Sequence, residues 1–509
     1  MGSCGFRLVK ACQAFGRVGV AKYVSSRSGL TVTFVRWRCP IVRSYFCIGT
    51  FPESDDGLPH TLEHLIFLGS RRYPYKGVLD KLANGALADG TNAWTSQDHT
   101  CYTLFTASQQ GFLKLVPVYL DHILAPLLTP SHFATEVHHV NGEGEDAGVV
   151  YCEMQEHQSN MEHLVWRRLV RNVFGGTSVY AMDSDGLLEN LRGSCTLEKI
   201  REFHSRYYLL GNLNLVVVGS LDEGDVLRML EQYELDEEAV ASTSAASAQT
   251  ARSREEHKNV APIADSAVER LLCPADDAGH GLVMVGWMGP QIEDVEELAG
   301  VSVLTTYLHE TAVSPLQRRF VQLEEPYCSD VSVSIEEYWR AFVWFRFEGV
   351  PSSMADEICP RLRELLTSLA SDEDGVNVAR IRALIEQMTS RMLKKLESEP
   401  HEVAVDELVV DFLYGGGDTP EQLERRLDLV AIYQRLMEKP VDYWRSLVRR
   451  YFGPDSHYRG VIGVPSGPEE VARQTEEERG RIRRQKESLG EEGLRLKAEL
   501  LAGAVAENE

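Results

Sequence analysis

The stretch DDGLPHTLEHLIFLGS, residues 55–70, places two histidines and a glutamate inside an otherwise apolar segment. Pro59 suits the first turn of a helix, because the N–H that proline lacks would have no helical partner there. Gly69 suits the position just past a helix end. The stretch therefore predicts a helix over residues 57–69 that is packed against the body of its domain.

His60 and His64 are one turn apart on this helix and share a face, with Glu63 beside them. Two imidazoles at this spacing can hold one zinc ion. Glu63 is placed to take a proton from a zinc-bound water without being a ligand itself. The alternative, a neutral histidine pair packed in a core, would need hydrogen-bond partners and leaves the adjacent glutamate unexplained. The pattern favours a zinc site with Glu63 as general base.

A catalytic zinc ion usually has three protein ligands, so a third must come from elsewhere in the chain. The acidic segment 141–160 is the densest source. Glu153 follows an apolar run and opens a predicted helical stretch, and Asp146 stands seven positions before it. The residues alone leave several other candidates open in the same segment, namely Glu143, Glu145, Glu156 and His157.

Length and composition indicate a two-domain globular protein. The chain has 509 residues, 43% of them apolar and 25% charged, which exceeds what one hydrophobic core usually holds. No apolar run approaches the roughly 18 residues that a membrane span requires. The net charge of −24 disfavours nucleic acid as a partner and mildly favours basic peptides.

The ten cysteines are scattered without a CxxC pair, which is typical of a reducing compartment and favours a cytoplasmic location. The first 52 residues contain no acidic residue and several arginines and lysines, so a mitochondrial transit peptide is the alternative. Residues 1–21 are the part that we expect to form such a basic leader.

Strands interleaved with helices predict an α+β fold with two tandem related domains, each one mainly antiparallel sheet covered by helices. A Ser/Ala-rich charged segment separates them and is predicted to be a flexible linker. The C-terminal segment has helical propensity with a break near residues 489–493, which predicts a charged helical hairpin. The expected divisions are a leader at 1–21, a zinc-binding domain at 22–235, a linker at 236–261, a second non-catalytic domain at 262–467 and the hairpin at 468–509.

Four motifs occur in the order in which the pitrilysin and insulin-degrading enzyme family carries them, an order that includes the inverted zinc motif HxxEH. They are HTLEH, GTNAWTSQDHTCYTLFT (residues 90–106), GVVYCEMQ and YYLLGNLNLVVVG. The chain resembles the presequence-protease-like branch of this family most. The resemblance implies the N-terminal half of a clamshell-shaped zinc metalloendopeptidase that cuts short or unfolded peptides.

Carried over position by position, the resemblance assigns Glu63 as the base and places Asp146 where many members have a carboxylate that orients a metal ligand. The implied ligands of a single zinc ion are His60, His64 and Glu153. The segment implied to pair with the substrate backbone at a sheet edge is Asn92, Ala93 and Trp94.

Members of the family join two such halves, and the distal half helps to bind the substrate. We therefore expect a partner chain that supplies this half, or a homodimer. A partner-dependent or non-catalytic peptide-binding subunit is the alternative function.

Overall fold

The computed structural model describes residues 5–235, 257–275, 277, 279–371, 375–415 and 420–508. Most of the predicted linker, residues 236–256, lies outside the described residues. The strands are β1 Phe6–Ala14, β2 Val18–Ser25, β3 Thr31–Arg36, β4 Val42–Gly49, β5 Asn92–Thr95, β6 His99–Thr106, β7 His139–Val140, β8 Asp146–Ala147, β9 Leu213–Gly219, β10 Ala267–Cys273, β11 His280–Gln291, β12 Asp330–Glu336, β13 Arg340–Pro351 and β14 Tyr458–Pro465.

Helices cover both sheets. They are α1 Leu58–Ile66, α2 Val78–Gly85, α3 Gln109–Leu124, α4 Pro130–His132, α5 Val149–His157, α6 Met161–Phe174, α7 Leu188–Gly193, α8 Leu197–Tyr207, α9 Glu223–Leu235, α10 Val295–His309, α11 Ala355–Ser371, α12 Val378–Ser398, α13 Pro400–Tyr414, α14 Pro420–Arg426, α15 Leu429–Met437, α16 Val441–Phe452 and α17 Pro468–Asn508. A π-helix, Phe133–Val137, continues α4 directly. None of the described helices combines the length and the apolar character that crossing a bilayer requires.

The first sheet has seven strands in the order β1-β2-β3-β9-β4-β6-β5. Neighbours are antiparallel except β3 and β9, which are parallel. The strand β5 is thus an edge strand that pairs with β6 on one side. The sheet, with its helices, confirms the predicted α+β class.

The second sheet repeats five consecutive strands of the first, from β3 to the edge strand β5. Its order is β10-β14-β11-β13-β12, and the one parallel pair is β10 with β14. This order and these directions match β3-β9-β4-β6-β5 strand for strand, so the two domains are related as predicted. The helix after β11, which corresponds in chain order to α1 after β4, carries no HxxEH motif.

The two domains exchange helices. α6, from the first half of the chain, packs on the second sheet through Val165 and Leu169. α13, from the second half, packs on the first sheet through Val405 and Leu408. Each sheet is therefore covered in part by a helix from the other half of the chain. The hydrophobic cores of the two domains are for this reason not separated at the predicted boundary, residues 236–261.

The expected leader at 1–21 is not separate from the first domain. Residues 6–14 and 18–25 form the β1–β2 hairpin of the seven-stranded sheet, and Phe6, Phe15 and Val18 are buried. Removing residues 1–21 would take away β1 and half of β2. Of the basic side chains that suggested a leader, Arg7 and Lys10 lie on β1 and Arg17 lies in the turn between β1 and β2.

The C-terminal hairpin consists of two helical arms of α17 that meet at Gly490, whose φ of 62° and ψ of 179° interrupt the helix. Lys486 on one arm and Leu494 on the other both approach Gly144. Asn508, near the end of the second arm, donates to the hydroxyl of Thr135 at 2.8 Å. The hairpin therefore packs along residues 131–146, the segment that leads into α5.

Candidate metal centre

The helix α1 is fixed in place by its own apolar residues and by a glycine at its start. Gly57 has a φ of 67°, and a Cβ at this position would overlap the backbone of Asp185. Pro59 lies in the first turn, as predicted, and Leu62 and Leu65 are fully buried. The helix spans Leu58–Ile66, slightly shorter than the expected 57–69, and it holds its polar residues in one orientation.

His60, His64 and Glu153 converge on one point. The Nε2 atoms of the two histidines are 3.2 Å apart, and Glu153 Oε2 lies 3.8 Å from His60 Nε2 and 3.5 Å from His64 Nε2. Ligands about 2.1 Å from a tetrahedral zinc ion would be roughly 3.4 Å from one another. Across the described ranges, these three residues form the single group of histidine, cysteine and carboxylate side chains close enough together to hold a metal.

The hydrogen bonding of the histidines fits a cation between them. His64 Nδ1 is 3.2 Å from Glu136 Oε1, so its N–H donates there and its Nε2 carries a lone pair that faces His60. His60 Nδ1 is buried without a partner among the described residues. A histidine ligand whose second nitrogen donates to a carboxylate is the usual arrangement at protein zinc sites. The donor set therefore suits zinc.

The electrostatics of His64 also favour positive charge. Burial opposes protonation of this imidazole, but the hydrogen bond and charge of Glu136, with the charges of Glu153 and Glu63, raise the pKa of His64 above its ordinary value. A site that attracts a proton attracts a divalent cation for the same reason, and the two compete.

Glu63 lies beside the ligands and contacts the sheet. The hydroxyl of Thr95, on β5, donates to Glu63 Oε2 at 2.6 Å. Burial raises the pKa of the Glu63 carboxyl, while the Thr95 hydrogen bond and the neighbouring histidines His60 and His64 oppose the increase. A carboxylate with a raised pKa is better suited to accept a proton near neutral pH.

Asn92, Ala93 and Trp94 lie on β5, the edge strand next to α1. Side chains alternate between the two faces of a strand. Thr95 therefore faces α1 with Ala93, and Asn92 and Trp94 face the opposite side. The contact between Thr95 and Glu63 therefore joins the candidate metal site to the sheet edge on which the predicted substrate segment lies.

The structure puts Asp146 elsewhere than expected. It accepts hydrogen bonds from His138 Nε2 at 2.7 Å, from Arg481 at 2.6 Å and from Gln485 at 3.1 Å. The carboxylate that accepts a hydrogen bond from His64 Nδ1 is Glu136, which the sequence did not predict. Asp146 lies on β8, separated from α5 by Gly148, so it does not continue the helical face of Glu153.

One signal could have drawn attention to Glu136. It is the one acidic residue of SHFATEVHH, residues 131–139, among three histidines. The rival ligands Glu143, Glu145, Glu156 and His157 do not belong to the candidate group formed by His60, His64 and Glu153.

Two models of one peptidase family match the chain. The model described as Insulinase (Peptidase family M16) matches residues 41–180, which include α1, β5 and α5. The model described as Peptidase M16 inactive domain matches residues 194–388. The two matches follow each other along the chain and cover most of both sheets.

Individual curated relatives are consistent with these two family models. An uncharacterized protein of Caenorhabditis elegans is 40% identical over 97% of this chain and 48% of its own length. Presequence protease 1, chloroplastic/mitochondrial, of Arabidopsis thaliana is 34% identical over 36% of this chain and 18% of its own length. The chain thus spans about half the length, or less, of these curated relatives.

Among solved structures, a protease from Helicobacter pylori superposes with a TM-score of 0.67 at 17% identity, over 88% of this chain and 99% of that one. This likeness shows the fold. With the family models and the relatives, it leads to the assignment that the sequence motifs predicted: the chain belongs to peptidase family M16, in the branch that resembles the presequence proteases.

Proposed function

We propose that this protein is a zinc-dependent metalloendopeptidase that hydrolyses short or unfolded peptides. The observation that carries the proposal is the convergence of His60, His64 and Glu153 beside Glu63, at 3.2–3.8 Å between ligand atoms. Glu63 is linked through Thr95 to the free edge of β5. The proposed metal site and a surface that can bind an extended backbone are therefore adjacent.

Each residue of the site has a separate role in the proposed reaction. His60, His64 and Glu153 hold the zinc ion, and Glu136 keeps the His64 ring in its ligand orientation. When bound, zinc supplies a Lewis acid that polarises a peptide carbonyl and lowers the pKa of water. Glu63 takes a proton from the attacking water and returns it to the nitrogen of the leaving amine.

The edge strand sets the class of substrate. A peptide that pairs with β5 must have an extended backbone with free N–H and C=O groups along several residues. A folded protein rarely offers such a segment, whereas a short or unfolded peptide does. Cleavage within peptides, rather than within folded domains, is therefore the proposed activity.

The test is hydrolysis of a fluorogenic peptide by the zinc-loaded protein. Glu63→Gln keeps the size of the side chain but removes the base, so we expect kcat to fall by at least about 100-fold with zinc content unchanged. Glu143→Gln, at an exposed acidic residue outside the metal-binding group, is the matched control and should retain the wild-type rate. A Glu63→Gln variant that cleaves as fast as wild type would refute the proposed base.

One observation favours a second candidate, a subunit that binds peptide but cleaves it only with a partner. Residues 194–388 match a model described as Peptidase M16 inactive domain. On this hypothesis the partner is a chain that supplies a distal half, or a second copy of this chain. It predicts that the purified protein binds zinc and peptide but cleaves nothing until the partner is added.

For the location we propose the cytoplasm, with the mitochondrion as the alternative. The scattered cysteines support the first, and the basic residues before Glu53 support the second. N-terminal sequencing of the protein isolated from cells distinguishes them, because import into mitochondria commonly removes a leader.

A further inference from the structure

A cavity of about 500 Å³ opens on the face of β5 that points away from α1. Strands of the first sheet form one wall, and α12 and α13 form the other. Its lining residues are Tyr45, Asp89, Gly90, Asn92, Trp94 and Thr103, with Phe105, Lys395, His401, Glu402, Val405 and Asp406. Two of them, Asn92 and Trp94, belong to the segment proposed to pair with substrate.

The alternation of side chains along β5 relates this cavity to the metal site. Thr95 points toward Glu63, and Asn92 and Trp94 line the cavity on the other face. A peptide that extends the sheet at β5 would follow the same alternation. Every second side chain of the peptide would lie on the cavity side, and those between would lie on the side of α1.

The cavity carries excess negative charge. Glu402 is neutralised by Lys395, whose Nζ is 2.7 Å from it. Asp89 and Asp406 also line the cavity, and no ion pair engages either of them within the part of the chain that the structure describes. Burial raises the pKa of the Asp406 carboxyl, and the charge of Lys395 opposes this increase. Two carboxylates are therefore available to a ligand.

Aromatic rings and a histidine form the base of the cavity. Tyr45 contacts the rings of Trp94 and Phe105 edge to face, with centroids 6.1 and 5.5 Å apart. His401 is 7% exposed, and its ring stacks on that of Tyr45 with centroids 6.5 Å apart. Burial lowers the pKa of His401 to about 4, so near pH 7 it adds no positive charge to the cavity.

Aromatic faces and carboxylates together are what a guanidinium or ammonium group binds. We propose that the cavity is a subsite for a cationic side chain, arginine or lysine, of a peptide paired with β5. The inference rests on the proposed peptide-binding role of β5. It adds a preference for a basic residue at one peptide position, or at two positions two residues apart, on the cavity side.

Binding of peptides to the zinc-loaded Glu63→Gln protein tests the subsite without cleavage. A fluorescent peptide series carries arginine, lysine, norleucine or glutamate at each position in turn, and Kd is measured by anisotropy. We expect arginine or lysine to bind about tenfold more tightly than norleucine at a cavity-side position. The position between two such sites should show no preference.

Variants of the cavity identify its residues. Asp89→Asn with Asp406→Asn should reduce the preference for a basic residue to less than about twofold, and Asp406→Lys should favour glutamate at the same position. Glu399→Gln removes an exposed charge one residue before α13, outside the cavity, and should leave the preference unchanged. Circular dichroism and thermal unfolding verify that each variant is folded.

The outcomes separate this inference from the proposed function. Equal Kd values for arginine and norleucine at every position, or a preference that survives both asparagine substitutions, would overturn the subsite even if wild type hydrolyses peptides. A preference that depends on Asp406 would support the subsite even if wild type hydrolyses nothing, in which case the proposed peptidase activity fails alone.

Discussion

Arg481, on the first arm of α17, donates a hydrogen bond to Asp146 Oδ2 at 2.6 Å. The Asp146 side chain is 2% exposed and also accepts from His138 Nε2 at 2.7 Å. Gly148 separates Asp146 from α5, the helix that carries Glu153. The C-terminal hairpin is thus bonded to the segment that leads to the third candidate ligand.

Arg481→Ala should destabilise the protein, because it leaves a buried carboxylate short of a charged partner. We expect the free energy of unfolding to fall by about 2 kcal/mol. Arg473→Ala is the matched control, since Arg473 is exposed and pairs with Glu470 and Glu477 of its own helix. Its effect should stay below about 0.5 kcal/mol. Equal urea midpoints for the two variants would show that the Asp146 contact does not stabilise the fold.

The stabilisation by Arg481 should depend on pH. Burial alone would raise the pKa of Asp146, but hydrogen bonds from His138, Arg481 and Gln485 hold it well below its ordinary value of 3.8. A carboxylate with a depressed pKa stabilises the fold above 3.8, and this stability is lost as pH falls toward the folded-state value. The difference between wild type and Arg481→Ala should be constant from about pH 7 to 5 and shrink below about pH 4. A difference that grows on acidification would contradict this assignment.

Glu136→Gln should weaken zinc binding. The substitution replaces the carboxylate that accepts from His64 Nδ1 at 3.2 Å with an amide, which holds the ring less firmly and makes it a weaker ligand. Loss of such a partner typically lowers metal affinity by about 10- to 100-fold. Competition with a chromogenic chelator measures the affinity directly.

Glu145→Gln provides the comparison for Glu136, because Glu145 is an exposed carboxylate in the same segment and lies outside the candidate metal-binding group. It should bind zinc as wild type does. If both variants lose affinity equally, the effect arises from the charge of the segment and not from orientation of His64.

The helix with His60, His64 and Glu63 could be predicted because its information is local. The helix is indicated by the spacing of its apolar residues, by Pro59 in the first turn and by the four-residue separation of the two histidines. All of these lie within one short stretch of sequence. Glu136 could not be found in this way. It reaches His64 across 72 positions by means of a π-helix, and no periodic pattern in the sequence specifies that turn.

The relation between the two domains could be predicted because both contain the same types of element. Two sheets can have the same strand order without detectable sequence identity between them. A buried strand requires apolar residues but not particular ones, so β9 and β14 occupy equivalent positions with different sequences. The exchange of α6 and α13 is invisible in the sequence, because an apolar helix face does not specify which sheet it will cover. The cavity beside β5 depends on this exchange.

Thr95→Val should shift the pH dependence of cleavage. The Thr95 hydroxyl donates to Glu63 Oε2 at 2.6 Å and so favours the charged carboxylate. Without it the pKa of Glu63 should rise, so the acidic limb of kcat/KM against pH moves to higher pH. Thr91→Val, which removes an exposed hydrogen bond to Asp80, should leave that limb in place. An acidic limb that stays unchanged in Thr95→Val would mean that Glu63 is not the group that titrates there.

Gly57→Ala should disrupt the start of α1. Gly57 has a φ of 67°, and an added Cβ would overlap the backbone of Asp185. Gly77 has a similar φ of 73° at the start of α2, with no atom within 4 Å of its Cβ position, so Gly77→Ala should cost only the strain of about 1 kcal/mol. Gly57→Ala adds the steric overlap, and we expect a loss of about 3 kcal/mol or more in unfolding free energy, together with weaker zinc binding. Because both glycines precede helices with similar positive φ, the difference between the variants isolates the contact with the backbone of Asp185 and Gly186. Equal losses would show that strain alone, and not that contact, makes glycine necessary before the HTLEH helix.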